Sequence, residues 1–185
     1  MRKPLIAVFA ALFAAAALAA EVGGVKLADK ASVGGQELVL NGASIRTRAI
    51  FKVYVGSLYL PAKAGDAAGV LAKGPRRIQL NLLRDLSPDQ LVDALKDGLK
   101  DNSTEAELAA LKPQSDQLTS IMKSFGEVKE GSVVTIDFVD GNTALGFNGA
   151  PKGTIPGEAF NRALTKIWIG DKPIQADLKK AMLGG

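Results

Sequence analysis

The chain has 185 residues, 47% hydrophobic and 23% charged, with a formal net charge of +4, which suits one globular domain with a sizeable core and excludes a disordered chain. It has no Cys and no His, which excludes disulfides, thiolate nucleophiles, zinc–thiolate sites, Ser–His and Cys–His hydrolysis and haem ligation by His. Any catalysis falls to Arg, Lys, Tyr, Thr, Asp or Glu, and we expect neither a cofactor nor a metal.

The first twenty residues stand apart. Arg2 and Lys3 form a basic start, and Leu5 to Leu18 is an apolar run of mostly Ala, Leu and Phe. Ala17-Leu18-Ala19 offers a cleavage site before Ala20, and Leu18-Ala19-Ala20 offers one before Glu21. This is the pattern of a secretory signal peptide over residues 1–20, followed by one domain over 21–185. The run is shorter than the roughly 20 residues a spanning helix needs. No Cys is present to carry a lipid, and no later stretch is long and apolar enough to span a membrane. The expected product is exported, to the periplasm in a two-membrane bacterium. Losing Arg2 and Lys3 leaves a formal charge of +2, too mild to argue for a nucleic-acid partner.

Val25 to Leu27 and Glu37 to Leu40, with Gly34-Gly35 between them, predict a hairpin. Asn41 to Leu60 follows, opening on an Asn-Gly turn signal and stopping at Pro61. It is rich in β-branched and aromatic residues and predicts a long strand or a tight pair of strands. As one strand, it would turn Ile45, Ala49, Phe51, Val53 and Val55 to the core and Arg46, Arg48, Lys52 and Tyr54 to the other face. That second face has two readings. It is a solvated sheet face, or it is a pocket wall on which one cation, Arg46 foremost, meets an acidic or carbonyl-bearing ligand.

Pro61 to Gly74 reads as a loop with a short helix at Ala67 to Ala72, and Arg76 to Leu83 as a half-buried strand with Ile78, Leu80 and Leu82 inward. Ser87-Pro88-Asp89-Gln90 starts a helix carrying Leu91, Val92, Leu95 and Leu99, and Thr104 with Glu107 starts another. Pro113 breaks or kinks it, and Leu118, Ile121, Met122 and Phe125 continue the apolar stripe. Val128 to Asp140 and Thr143 to Phe147 form a hairpin, and Gly149 to Gly157 a Gly/Pro loop. Phe160, Ala163, Leu164, Ile167 and Trp168 mark a helix that ends at Gly170. A last helix runs from about Ile174 to Leu183. This order predicts an α+β domain, an antiparallel sheet with helices on one face.

Other motifs have plain readings. The Gly pairs lack phosphate-loop spacing. Asp137, Asp140 and Asn142 read as a hairpin turn rather than a calcium loop. Asn102-Ser103-Thr104 matches a glycosylation sequon, but Thr104 serves better as a helix cap. Arg76-Arg77 reads as a strand edge in water. Phe160 and Trp168 read first as core and second as walls of a cleft.

Asn41-Gly42-Ala43-Ser44-Ile45-Arg46 with Phe51-Lys52-Val53-Tyr54-Val55-Gly56-Ser57-Leu58-Tyr59-Leu60, and Ile167-Trp168-Ile169-Gly170-Asp171-Lys172-Pro173 near the end, resemble the chalcone isomerase-like family, and more narrowly its bacterial exported branch. The resemblance covers most of the chain after about residue 22. It implies an open sandwich with a ligand cleft between sheet and helices. The ring-closing members hold their substrate with an Arg that matches Arg46. Their Thr falls at Tyr54, and their catalytic Tyr falls at Ser87 to Gln90, where this chain has none. Two further polar positions fall at Asp97 and Ile167.

The non-catalytic branch binds fatty acids with an Arg and a Tyr, which Arg46 and Tyr54 match, since both can donate to a carboxylate. The resemblance therefore implies a small hydrophobic or amphipathic carboxylate as the partner. Arg46 and Tyr54 would hold its head, and Phe160, Leu164 and Trp168 would wall its cavity. An isomerase and a scaffold with a filled cleft are the alternatives. Eight residues of straight strand cover roughly 26 Å. Arg46 and Tyr54 share a ligand only if the chain turns between them, around Thr47 to Ala49.

Overall fold

The computed structural model describes residues 20–185. The segment read as a signal peptide lies outside the described residues, apart from Ala20. Strands β1 (Ala20–Val22) and β2 (Val25–Leu27) make a small hairpin. Seven further strands form one antiparallel sheet in strict chain order: β3 (Lys30–Val33), β4 (Gln36–Arg48), β5 (Phe51–Leu60), β6 (Arg76–Leu82), β7 (Val133–Val139), β8 (Asn142–Phe147) and β9 (Ala150–Pro156). Helices α1 (Ala67–Leu71), α2 (Pro88–Asp101), α3 (Glu105–Ala110), α4 (Lys112–Lys123), α5 (Glu158–Ile169) and α6 (Ala176–Met182) join it in one core. The expected α+β architecture is the one observed.

Local chemistry explains the helix starts. Ser87 accepts from the Gln90 backbone N–H while the Gln90 side chain accepts from the Ser87 N–H, and Thr104 and Glu107 repeat the exchange. Pro113 stands at the start of α4, where its missing N–H costs nothing. The core takes Ile78, Leu80 and Leu82 of β6 and Val134, Ile136 and Phe138 of β7. Helices supply Leu95, Leu99, Phe160, Leu164 and Ile167, all buried. The opposite sheet face is half-exposed. It carries Arg77 and Asp137 in a two-pronged ion pair at 2.6 and 2.7 Å, beside a small cluster of Val33, Leu38 and Tyr59.

Four sequence expectations are corrected. First, of the two readings of Asn41 to Leu60 the tight pair of strands is the one observed and the single strand is not, because Ala49 and Ile50 form a two-residue turn with Ala49 at φ 53°. Arg46 still shares a face with Tyr54 and Ile45 with Val55, but the Tyr54 face is the one that meets the helices. Tyr54, Leu58 and Leu60 join the main core, while Ala49 and Phe51 are exposed. Second, Asn41-Gly42 is no turn but a bulge inside β4. Buried Asn41 donates to the carbonyls of Ala64 (2.9 Å) and Met182 (2.7 Å) and accepts from the Ala64 N–H (2.8 Å). Third, Gly149 to Gly157 contains β9, paired to β8 at the edge of the sheet. Fourth, Arg76 is 4% exposed and lies under the helices rather than at a strand edge in water.

Candidate functional site

The turn at Ala49 and Ile50 folds β5 back on β4 and makes Arg46 the cross-strand partner of Tyr54. Cross-strand partners sit about 5 Å apart at Cβ and share a sheet face. The distance that separates them along an extended chain disappears. A second bulge between Arg46 and Thr47 shifts the register, and the pairing continues through Thr47–Lys52 and Arg48–Phe51 to the turn. Bulges of this kind re-aim a side chain.

Arg46 is half-buried at the helix-covered face. One guanidinium nitrogen donates to the Thr47 carbonyl and to Gln175 Oε1 at 3.2 Å. The same Gln175 oxygen accepts from the Thr47 N–H at 2.8 Å, and its Nε2 donates to the Ile45 carbonyl at 3.3 Å. Gln175 precedes α6, so it ties the start of that helix to the end of β4. Among the described residues Arg46 has no carboxylate partner, and its remaining N–H groups meet no acceptor.

Tyr54 is buried. Its oxygen accepts from Trp168 Nε1 at 3.1 Å. Its own O–H finds no acceptor among the described residues. Burial pushes the phenol up to about 12, against smaller opposing pulls from the Trp168 hydrogen bond and the Arg46 charge. At neutral pH Tyr54 is therefore a donor and not a base. Together Arg46 and Tyr54 present a cation and a neutral O–H, both with unused donors, on one face of one hairpin.

The other predicted residues are placed by α5. Trp168 joins Tyr54 directly. Leu164 and Phe160 lie one and two turns earlier, so Phe160 is about 12 Å along the helix from Trp168. Both are fully buried in the core. Helix α6 covers the sheet beside Arg46. Leu178 and Met182 pack on Gly56, and Gly42 lies so close to the Ala181 carbonyl that a Cβ there would sit 1.9 Å from it. Gly42, Ser44 and Gly56 thus form a shallow trough on the sheet, roofed by α6. Pockets of about 230 and 280 Å³ open elsewhere, one at Arg76 and the other between α3 and α5. Neither is lined by Arg46 or Tyr54.

The positions that the ring-closing enzymes would use are otherwise engaged. Ser87 and Gln90 cap α2, Asp97 is exposed, and Ile167 is buried against Gly98. Sequence reasoning missed two polar residues. Gln175 and Asn41 act on backbone groups far away in the chain, and only Asn41, inside an apolar strand, carried a local signal. It also missed Arg76, which donates to Thr165 Oγ1 (3.0 Å), Asn161 Oδ1 and the Val70 carbonyl (3.4 Å), with its guanidinium 4.8 Å from the centre of the Phe138 ring. Burial lowers it to about 10. Its polar partners are neutral, and it closes the far end of the core.

Comparison with known proteins gives two findings. A family model described as chalcone isomerase-like matches residues 19–184. A crystal structure of a fatty-acid binding protein from Arabidopsis thaliana superposes with a TM-score of 0.63 at 14% identity, over 83% of this chain and 89% of that one. At that identity the likeness speaks for the fold alone. No curated protein sequence matches the chain.

Proposed function

The chain belongs to the chalcone isomerase-like family, and from that premise we propose that it is an exported, non-catalytic protein of the family's bacterial branch that binds a fatty acid or similar amphipathic carboxylate. The observation that carries this reading is the cross-strand pair Arg46–Tyr54, a cation and a neutral phenol with donors to spare. A guanidinium and an O–H suit the two oxygens of a carboxylate. The similar fold of a fatty-acid binding protein agrees with it.

The acyl chain would run from this head-group site along the trough of Gly42, Ser44 and Gly56. Leu178 and Met182 fill that space, so binding requires α6 to lift. Its seven residues make it a suitable element to move, because so short a helix has little stability of its own. Trp168, Leu164 and Phe160 would wall the chain on the α5 side.

The non-catalytic part of the reading rests on the chemistry around Arg46. Its polar neighbours are Gln175 and a phenol that keeps its proton, and among the described residues no hydroxyl cluster stands ready to order water for a developing oxyanion.

Trp168 is the sole tryptophan, so its emission reports on Tyr54 and on whatever replaces its surroundings. Titration with palmitate is expected to change that emission, with hexadecanol binding at least tenfold more weakly. Equal responses to acid and alcohol would remove the carboxylate from the reading. No response to either would remove the ligand.

A further inference from the structure

The tip of the β4–β5 hairpin has a composition that its fold does not require. Ala49 and Ile50 join the paired residues Arg48 and Phe51. Two-residue hairpin loops ordinarily place Gly or Asn where φ is positive, yet Ala49 stands at φ 53°. The next two residues are large and apolar. Ile50 is 87% exposed and Phe51 53%, and they are the exposed large hydrophobics among the described residues. Around them stand Arg48, Lys52 and Arg84, all exposed, with the Arg84 guanidinium 4.7 Å from the centre of the Phe51 ring. Residues 46–54 contain three cations and no acid. None of Arg48, Lys52 and Arg84 is in an ion pair among the described residues, and the neighbouring Asp85 is engaged by Lys129.

We propose that this tip docks on an anionic lipid surface, with Ile50 and Phe51 entering the boundary between head groups and acyl chains while Arg48, Lys52 and Arg84 meet the phosphates. An apolar point ringed by cations fits that surface. Each cation held near an anionic membrane contributes about fivefold in affinity. A protein partner fits less well, because a stable protein interface takes about 800 Å² on each side and this tip offers two side chains. Phe51 is three residues from Tyr54, so the tip would hold the Arg46–Tyr54 pair about 10 Å from the lipid. The inference stands whatever ligand that pair takes.

The test is co-sedimentation of the chain from residue 21 with vesicles of phosphatidylcholine alone and of phosphatidylcholine with phosphatidylglycerol, no free fatty acid being present. Binding is expected to the phosphatidylglycerol vesicles, and to weaken as salt rises. Ile50→Ser with Phe51→Ser is expected to weaken it at least tenfold. Ala49→Gly with Ile50→Asn puts a favourable turn in place of a strained one, so it is expected to raise Tm and weaken vesicle binding together. That pairing separates the tip's role from the stability of the fold. Absence of binding to the phosphatidylglycerol vesicles overturns the proposal, as does binding that both tip variants retain. A dimer lost in Ile50→Ser with Phe51→Ser, without vesicle binding, assigns the tip to a second copy of the chain and also overturns it.

Discussion

Arg46 and Arg76 are both cations on the helix-covered face of the sheet, and they are held in opposite ways. Arg46 is half-buried with donors unused, whereas Arg76 is buried and bonded to neutral oxygens. Arg46→Ala is therefore expected to weaken palmitate binding by about ten- to a hundredfold, the worth of a charge-assisted contact, while moving Tm by no more than about 2 °C. Arg76→Ala is expected to cost about 2–4 kcal/mol in urea unfolding, through the cavity and the orphaned Asn161 oxygen. Arg76→Met fills the volume and removes a buried charge, so it is expected to recover most of that loss. The tyrosines give a test in alkali. Tyr54 and Tyr59 are the only two in the chain, and burial raises both. A raised phenol stabilises the fold in full below the unfolded value near 10, and loses that contribution as pH climbs through the folded value, about 12 for Tyr54. Phenolate absorbance in the native protein is thus expected to appear well above pH 10, and to return to about 10 in denaturant. Arg46 was legible in the sequence because a cation in an apolar strand is conspicuous. Arg76 looked like one of a pair of edge cations, because its partners Asn161 and Thr165 are more than eighty residues away.

The β4–β5 hairpin and α6 together make the candidate site. The hairpin was half legible. Its strand content was plain, but its turn is Ala-Ile, where turns ordinarily use Gly, Asn or Asp. An apolar turn reads as uninterrupted strand, yet a two-residue turn keeps Arg46 with Tyr54 and Ile45 with Val55, so the two faces of β5 were separable in the sequence while the one that the helices cover, the Tyr54 face, was not. β9 was hidden for a different reason. It is an edge strand of mostly exposed residues with Gly and Pro in it, which is the composition of a loop. The helices were legible because their capping residues are local. α6 was predicted, but its position was not, since it rests on Gly42 and Gly56 and is tied by Asn41 and Gln175. Gly42→Ala drives a Cβ into the Ala181 carbonyl and is expected to cost about 1–3 kcal/mol by displacing α6. Met182→Ala opens the trough without that clash. It is expected to lower Tm and to speed palmitate uptake in stopped-flow Trp168 fluorescence, and an unchanged rate would show that the ligand does not pass beneath α6.

On the scale of the whole molecule, fold and family were within reach of the sequence, because strand order, helix caps and two sequence segments pointed the same way. Export is a separate matter. Residues 1–20 carry the pattern of a signal peptide. Cleavage before Ala20 leaves β1 whole, and cleavage before Glu21 removes one of its three residues. The intact mass of the protein recovered from its host is expected to begin at one of these two positions, and recovery of the uncleaved chain would contradict export by this route. The most direct test of the central claim is native mass spectrometry of the mature protein purified from its host, followed by lipid extraction, with Arg46→Ala alongside. We expect a fatty acid to travel with the native protein and to be absent from the variant. A protein that arrives empty, and stays empty when offered fatty acids, would contradict carboxylate binding and leave the fold as an interaction scaffold.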